Sequence, residues 1–99
     1  MTSAAGNVAP GPLRRTLAIG NKRGLHARAA AKFVRTAGQF DAAIRVSFKG
    51  QDVSGLSIMG LMMLAAGIGS SIELSCAGRQ ALEAMTALSA LVEGKFGED

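Results

Sequence analysis

The sequence predicts the start of a helix within Gly24-Leu25-His26-Ala27-Arg28, which runs into an Ala-rich stretch ending at Gly38. Residues 21–24 are polar and turn-like, whereas residues 27–37 include many strong helix formers and neither Pro nor Gly. We therefore expect His26, the only histidine in the chain, at or near the N-cap of this helix. Backbone N–H groups at that end have no partner inside the helix, and together with the helix dipole they favour a bound anion.

Four segments alternate apolar and polar residues, which is the pattern of half-buried strands. They cover residues 13–19, 42–49, 51–54 and 71–76. Lys49-Gly50 predicts a tight turn between the second and third strands, so this pair should form an antiparallel hairpin. Cys76 lies on the apolar side of the last strand and is expected to be a small core residue.

Three helices are also predicted. The first covers about residues 27–37 and is expected to end on a left-handed Gly38. The second runs from Ser57, a preferred N-cap residue, to about Ala65. The third follows Gly78 and has apolar residues at helical spacing, namely Leu82, Met85, Leu88 and Val92. Because each strand is apolar on one side only, we expect an open-faced α+β sandwich, with all helices on one face of one sheet.

Both sides of the second helix are apolar. One side carries Leu61, Leu64 and Ala65, and the other carries Ile58, Met59, Met62 and Met63. A domain of this size can bury only one of them, so the other is expected to leave apolar surface exposed. Methionine side chains suit a surface that must fit several partners.

Composition favours one small domain, predicted over residues 13–99, because the chain has 99 residues and 48% of them are apolar. Residues 1–12 are rich in Ala, Gly and Pro and are predicted to be a disordered lead-in, not a secretory signal. No apolar run approaches the roughly 18 residues of a membrane span, so no membrane insertion is expected. The single cysteine allows no internal disulfide, which is compatible with a reducing cytoplasm.

The net charge of +4 suits either a nucleic-acid partner or an acidic protein partner. Several of the basic residues cluster in sequence around His26, and those of residues 1–50 are scattered over Arg14, Arg15, Lys22, Arg23, Arg28, Lys32, Arg35, Arg45 and Lys49. The chain has no Tyr or Trp, which are the usual platforms for stacking bases, and this argues against a nucleic-acid partner.

His26 and Arg28 are the candidate reactive residues. A histidine at a helix start can serve merely to cap it, but an anion-binding helix end beside a guanidinium can also hold a phosphoryl group. The dipole and nearby cations are expected to keep the ring uncharged and nucleophilic. No metal site is predicted, because the chain has no second histidine and its one cysteine lies in a distant strand. No hydrolase triad and no cofactor are predicted either.

Two motifs resemble the signatures of a known family. Gly-Leu-His-Ala-Arg at residues 24–28 and Ser-Ile-Met-Gly-Leu-Met at residues 57–62 are similar to those of HPr, the histidine-containing phosphocarrier of the bacterial phosphoenolpyruvate-dependent phosphotransferase system. The resemblance covers Leu13 to about Phe96 and implies the family fold, a four-stranded antiparallel sheet with three helices on one face (βαββαβα). The family often has Pro where this chain has Ala29, and Ala should preserve the helix.

The resemblance implies a cytoplasmic monomer that is a substrate of phosphotransferase enzymes and not itself an enzyme. His26 would take a phosphoryl group on Nδ1 from enzyme I, assisted by Arg28. It would pass the group to enzyme IIA-type proteins, of either the sugar-transport or the nitrogen-related regulatory branch. Ser57, otherwise an ordinary helix cap, would be the residue that HPr kinase/phosphorylase modifies in many relatives. Partners would bind at Ala27, Ile58, Met59 and Met62.

Two other functions stay open at this point. A regulatory binding module of the same fold would use the surface around Ser57 without phosphoryl transfer, although the presence of both His26 and Arg28 argues against it. A small basic nucleic-acid-binding α+β domain is the second alternative, and the missing aromatic platform argues against that one.

Overall fold

The computed structural model describes residues 11–98 of the chain. Most of the predicted lead-in, residues 1–10, therefore lies outside the described residues, as does the last residue of the predicted domain. The elements in chain order are β1 (Leu13–Ala18), α1 (Ala27–Ala37), β2 (Ala43–Phe48), β3 (Gln51–Ser54), α2 (Ile58–Met63), β4 (Ser71–Ala77), α3 (Ala81–Glu93) and a 3-10 turn (Lys95–Gly97).

The four strands form one antiparallel sheet in the order β1-β4-β2-β3. Leu17 faces Ile72 across β1 and β4, and Val46 faces Leu74 across β2 and β4. These side chains are buried against the helices, whereas the alternate residues of the strands are mostly exposed or half-buried. The predicted βαββαβα open-faced sandwich is confirmed.

The hairpin turn between β2 and β3 has the predicted chemistry. Lys49 and Gly50 both have positive φ, at 50° and 81°, which is the conformation of the two-residue turns that join twisted antiparallel strands. The predicted bounds of β3 agree with the structure, and those of the other strands differ by one or two residues.

Two details of the helices differ from the prediction. Gly38 is right-handed, with φ −68° and ψ −9°, because α1 ends through tighter bonds from Gln39 N–H to Thr36 O and from Phe40 N–H to Ala37 O. Leu82 is 67% exposed, whereas the helical spacing of apolar residues predicts it on the buried side of α3. The half-buried Ala81 takes that inward position, and Leu82 is turned about 100° away from it around the helix.

The 3-10 turn after α3 was not predicted from the sequence. It places Phe96 fully inside the core, with the positive φ of 56° that the tight turn imposes. Lys32 on α1 donates a hydrogen bond from Nζ to Phe96 O at 2.7 Å. The 3-10 turn is therefore packed against α1. None of the described helices is both long and apolar enough to cross a bilayer.

We expect Leu88→Ala to lower the free energy of unfolding by about 2–5 kcal/mol, because Leu88 is fully buried in α3 and its truncation leaves a cavity. Leu82→Ala, the same change on the same helix, should stay within about 0.5 kcal/mol of the wild type, since Leu82 is exposed. Urea unfolding followed by circular dichroism measures both. Equal losses in the two variants would contradict the placement of α3.

Candidate functional site

The loop before α1 is held in place by close backbone contacts. Gly24 has φ +63°, and a Cβ on it would lie 2.5 Å from Ala66 O, so only glycine fits this position. Leu25 N–H donates to Ala66 O at 3.0 Å, and Asn21 Nδ2 donates to Gly24 O at 2.8 Å. These contacts fix the direction in which the next residue, His26, enters the helix.

His26 is the N-cap residue of α1, as predicted. Its backbone is extended, with φ −73° and ψ 177°, and its carbonyl accepts the first helical hydrogen bond from Ala30 N–H at 2.8 Å. The imidazole makes no capping hydrogen bond. The N–H groups of the first turn are thus left for another acceptor, which is the geometry of an anion site.

A carboxylate that the sequence analysis missed contacts the ring. Nε2 of His26 and Oε2 of Glu98 form a hydrogen bond, and Asn21 Nδ2 donates to Glu98 Oε1 at 3.0 Å. Both side chains are largely covered, with 19% of the His26 side chain and 16% of the Glu98 side chain exposed. No sequence pattern predicts this contact, because His26 and Glu98 are 72 positions apart and the C-terminal residues around Glu98 form no motif.

Glu98 changes the electrostatics expected at the ring. Hydrogen bonds from Asn21 and then from His26, with the charge of Lys32 adding to them, hold the pKa of the Glu98 carboxyl below its ordinary value of 4.5. The carboxyl is therefore ionised at neutral pH. The ring therefore lies next to an anion as well as the cations that the sequence places near it.

A cationic cleft lies beside this contact. It has a volume of about 530 Å³ and is lined by Gly97 and Glu98 together with four cations, Lys22, Arg23, Arg28 and Lys32. Arg28 is exposed and makes no ion pair within residues 11–98, so its guanidinium is available to a ligand. The four cations of its lining suit a phosphoryl group.

Ser57 and the apolar side chains lie on a second surface. Ser57 caps α2 as predicted, since its Oγ accepts from Gly60 N–H at 2.9 Å. We call the exposed side chains of Ile58, Met59, Met62 and Met63 the Met patch; Met59 is 67% exposed. Ala27, at the start of α1, is also exposed, and α1 packs against α2.

The side of the second predicted helix that carries Leu61, Leu64 and Ala65 is buried only in part. Leu61 and Leu64 are in the core, but Ala65 is exposed, with a positive φ of 56°, because the chain leaves the helix there.

Cys76 is a core residue, and burial raises the pKa of its thiol. Within residues 11–98, no group of His, Cys, Asp and Glu side chains is arranged to hold a metal ion.

Comparison with known proteins gives a consistent result. The family model described as "PTS HPr component phosphorylation site" matches residues 13–94, a range that ends before the 3-10 turn and Glu98. Phosphocarrier protein HPr of Cupriavidus necator is 51% identical over 86 residues, which is 87% of this chain and 97% of that protein.

Solved structures agree with this match. HPr-C-His from Thermoanaerobacter tengcongensis superposes with a TM-score of 0.84 at 45% identity, over 88% of this chain and 98% of that chain. A structure of an HPr dimer from the same organism has a TM-score of 0.71 at 48% identity, over 81% and 92% of the two chains.

We expect the contribution of Glu98 to stability to be lost in acid. A lowered pKa in the folded state means that this contribution is present above the ordinary value of 4.5 and disappears as the pH falls through the lowered one. The difference in urea midpoint between wild type and Glu98→Gln should therefore shrink between about pH 5 and about pH 2. A difference that stays constant over that interval would show that the carboxylate is not stabilised by its neighbours.

Proposed function

We propose that this chain, which belongs to the HPr family of phosphocarrier proteins, accepts a phosphoryl group on His26 from enzyme I and donates it to enzyme IIA-type proteins. The family consists of carriers in the phosphotransferase system. The observation that carries the proposal is the position of His26 at an uncapped helix start, next to a cleft lined by four cations.

The geometry accounts for how such a group can be received. Phosphoryl transfer depends mainly on positioning the reacting atoms and stabilising the charge on the phosphoryl oxygens. The backbone N–H groups of the first turn of α1 point towards the N-cap residue, which is His26, and its imidazole does not accept from them. Oxygens of a group on that ring would accept from these N–H groups, while the dipole of α1 stabilises their charge.

Arg28 would assist by donating to the same oxygens. Its guanidinium is exposed, lines the cleft and is not neutralised by a carboxylate within residues 11–98. A guanidinium can donate two parallel hydrogen bonds to a phosphoryl group. Ala29, which replaces the frequent Pro, is fully buried in an intact α1, so the substitution does not disturb the helix start.

Partners would dock on the Met patch and Ala27, next to the ring. A phosphate on Ser57 would stay compatible with the helix start and would bring negative charge beside the Met patch. That would weaken docking, so Ser57 is proposed as a regulatory site for HPr kinase/phosphorylase. We propose further that the protein acts in the cytoplasm as a monomer, with residues 13–99 as its folded domain.

Incubation with phosphoenolpyruvate and enzyme I should add one acid-labile phosphoryl group to the wild type and none to His26→Ala. Arg28→Ala should still accept the group, but about tenfold more slowly, because it loses charge-assisted hydrogen bonds to the oxygens. Mass spectrometry before and after acid treatment and quenched-flow labelling provide the two readouts.

Arg35→Ala serves as the matched control for Arg28→Ala. It removes the same charge from an exposed residue near the other end of α1, and should leave the rate unchanged. Labelling of His26→Ala would refute the carrier function, and equal rates for Arg28→Ala and wild type would remove Arg28 from the mechanism.

Ser57→Asp should raise the KM of enzyme I for this protein by about tenfold, because Asp still caps α2 but adds a charge next to the Met patch. Ser57→Ala should leave the KM unchanged and lower stability by about 1 kcal/mol through loss of the cap. Steady-state transfer assays and urea unfolding distinguish the two effects. A KM for Ser57→Asp equal to that of the wild type would show that docking does not involve this surface.

A further inference from the structure

The contact between Glu98 and His26 decides which ring nitrogen carries the proton. An ionised carboxylate only accepts hydrogen bonds, so its partner atom must be a donor. Nε2 of His26 is that partner. In an uncharged imidazole only one nitrogen carries hydrogen, and the other has a free lone pair.

We infer that Glu98 is a positioning residue for phosphoryl transfer, which holds the ring proton of His26 on Nε2 and leaves Nδ1 as the nucleophile. The inference rests on the proposed function and deepens it, because it assigns a role to a residue in the C-terminal tail. Glu98 itself does not touch the transferred group. It acts through the ring.

The transfer step explains why the carboxylate matters. The Nδ1 lone pair forms a bond to phosphorus while the bond from phosphorus to the donor breaks, and that electron pair stays with the donor. No proton moves. The ring becomes cationic as the new bond forms, because it still carries the proton on Nε2. The negative charge of Glu98 at that proton stabilises the cation in the same way that it would stabilise an imidazolium.

The surroundings of Glu98 hold the carboxylate at this position. Its backbone N–H donates to Lys95 O at 2.9 Å, and Phe96 anchors the same turn in the core. Asn21 Nδ2 donates both to Gly24 O and to Glu98 Oε1, while its Oδ1 is buried and has no hydrogen-bond partner among residues 11–98. The side-chain NH2 group of Asn21 therefore stays directed at the Glu98 carboxylate, even though this orientation leaves Oδ1 of Asn21 unpaired within residues 11–98.

The test compares Glu98→Gln and Glu98→Ala with the wild type in two measurements. The first is the ¹⁵N chemical shifts of the His26 ring in the free protein, in alkaline buffer where imidazoles are neutral. The wild type should be mainly the Nε2–H form, and both variants should show a several-fold rise in the Nδ1–H form. The second is the rate of phosphorylation by enzyme I and phosphoenolpyruvate, which should fall about tenfold in both variants.

Glu93→Gln is the matched control. It removes the same charge from the same end of the chain, where Glu93 pairs with Arg15 at 2.9 Å on the surface. It should leave both the ring tautomer and the rate at wild-type values. Amide spectra of all variants check that each remains folded.

Slower transfer together with the tautomer change, in the Glu98 variants only, supports the inference. An unchanged tautomer overturns it, and so does an unchanged or faster rate; a faster rate would mean that the carboxylate merely blocks the cleft. Failure of the proposed function is a separate result, since it would appear as the absence of labelling in the wild type itself.

Discussion

The Glu98 carboxylate connects the C-terminal tail to the loop before α1 and to the start of that helix. It accepts hydrogen bonds from Asn21 in the loop before α1 and from His26 at the start of α1, and it reaches them because Phe96 is anchored in the core. Lys32 strengthens the same junction by donating to Phe96 O. Nothing in the helix alone would orient the ring, since the imidazole makes no capping hydrogen bond. The direction of the ring and the state of its two nitrogens therefore depend on a residue of the C-terminal tail.

The fold places the two candidate surfaces on helices that pack against each other. The sheet buries one face under the helices, so α1 and α2 lie side by side on the outside of that layer. The start of α1 supplies an electropositive site, and α2 supplies the Met patch. A small carrier in the HPr family has to present its reactive group to several proteins in turn. A partly exposed ring, on a helix that packs against the helix carrying the Met patch, meets that requirement.

Most of the fold follows from local sequence patterns, and the site follows only in part. Alternation along the strands, the Lys49-Gly50 turn and the Ser57 cap depend on neighbouring residues, so they were predictable. Leu82 was misplaced because helical spacing alone cannot tell which of two adjacent positions the sheet will cover. The role of Glu98 could not be predicted from the sequence. Its contact with His26 depends on the packing of Phe96 in the core and on a hydrogen bond from Asn21, which is 77 positions away in the chain. Local patterns carry no information on such pairings.

The most direct test is to locate the phosphoryl group on the ring. Protein labelled with ¹⁵N, phosphorylated by enzyme I and phosphoenolpyruvate, should show one-bond ³¹P–¹⁵N coupling at Nδ1 of His26, with the proton still on Nε2. Coupling at Nε2, or a phosphoryl group on any other residue, would contradict the account, because the nitrogen held by Glu98 would then be the one that reacts.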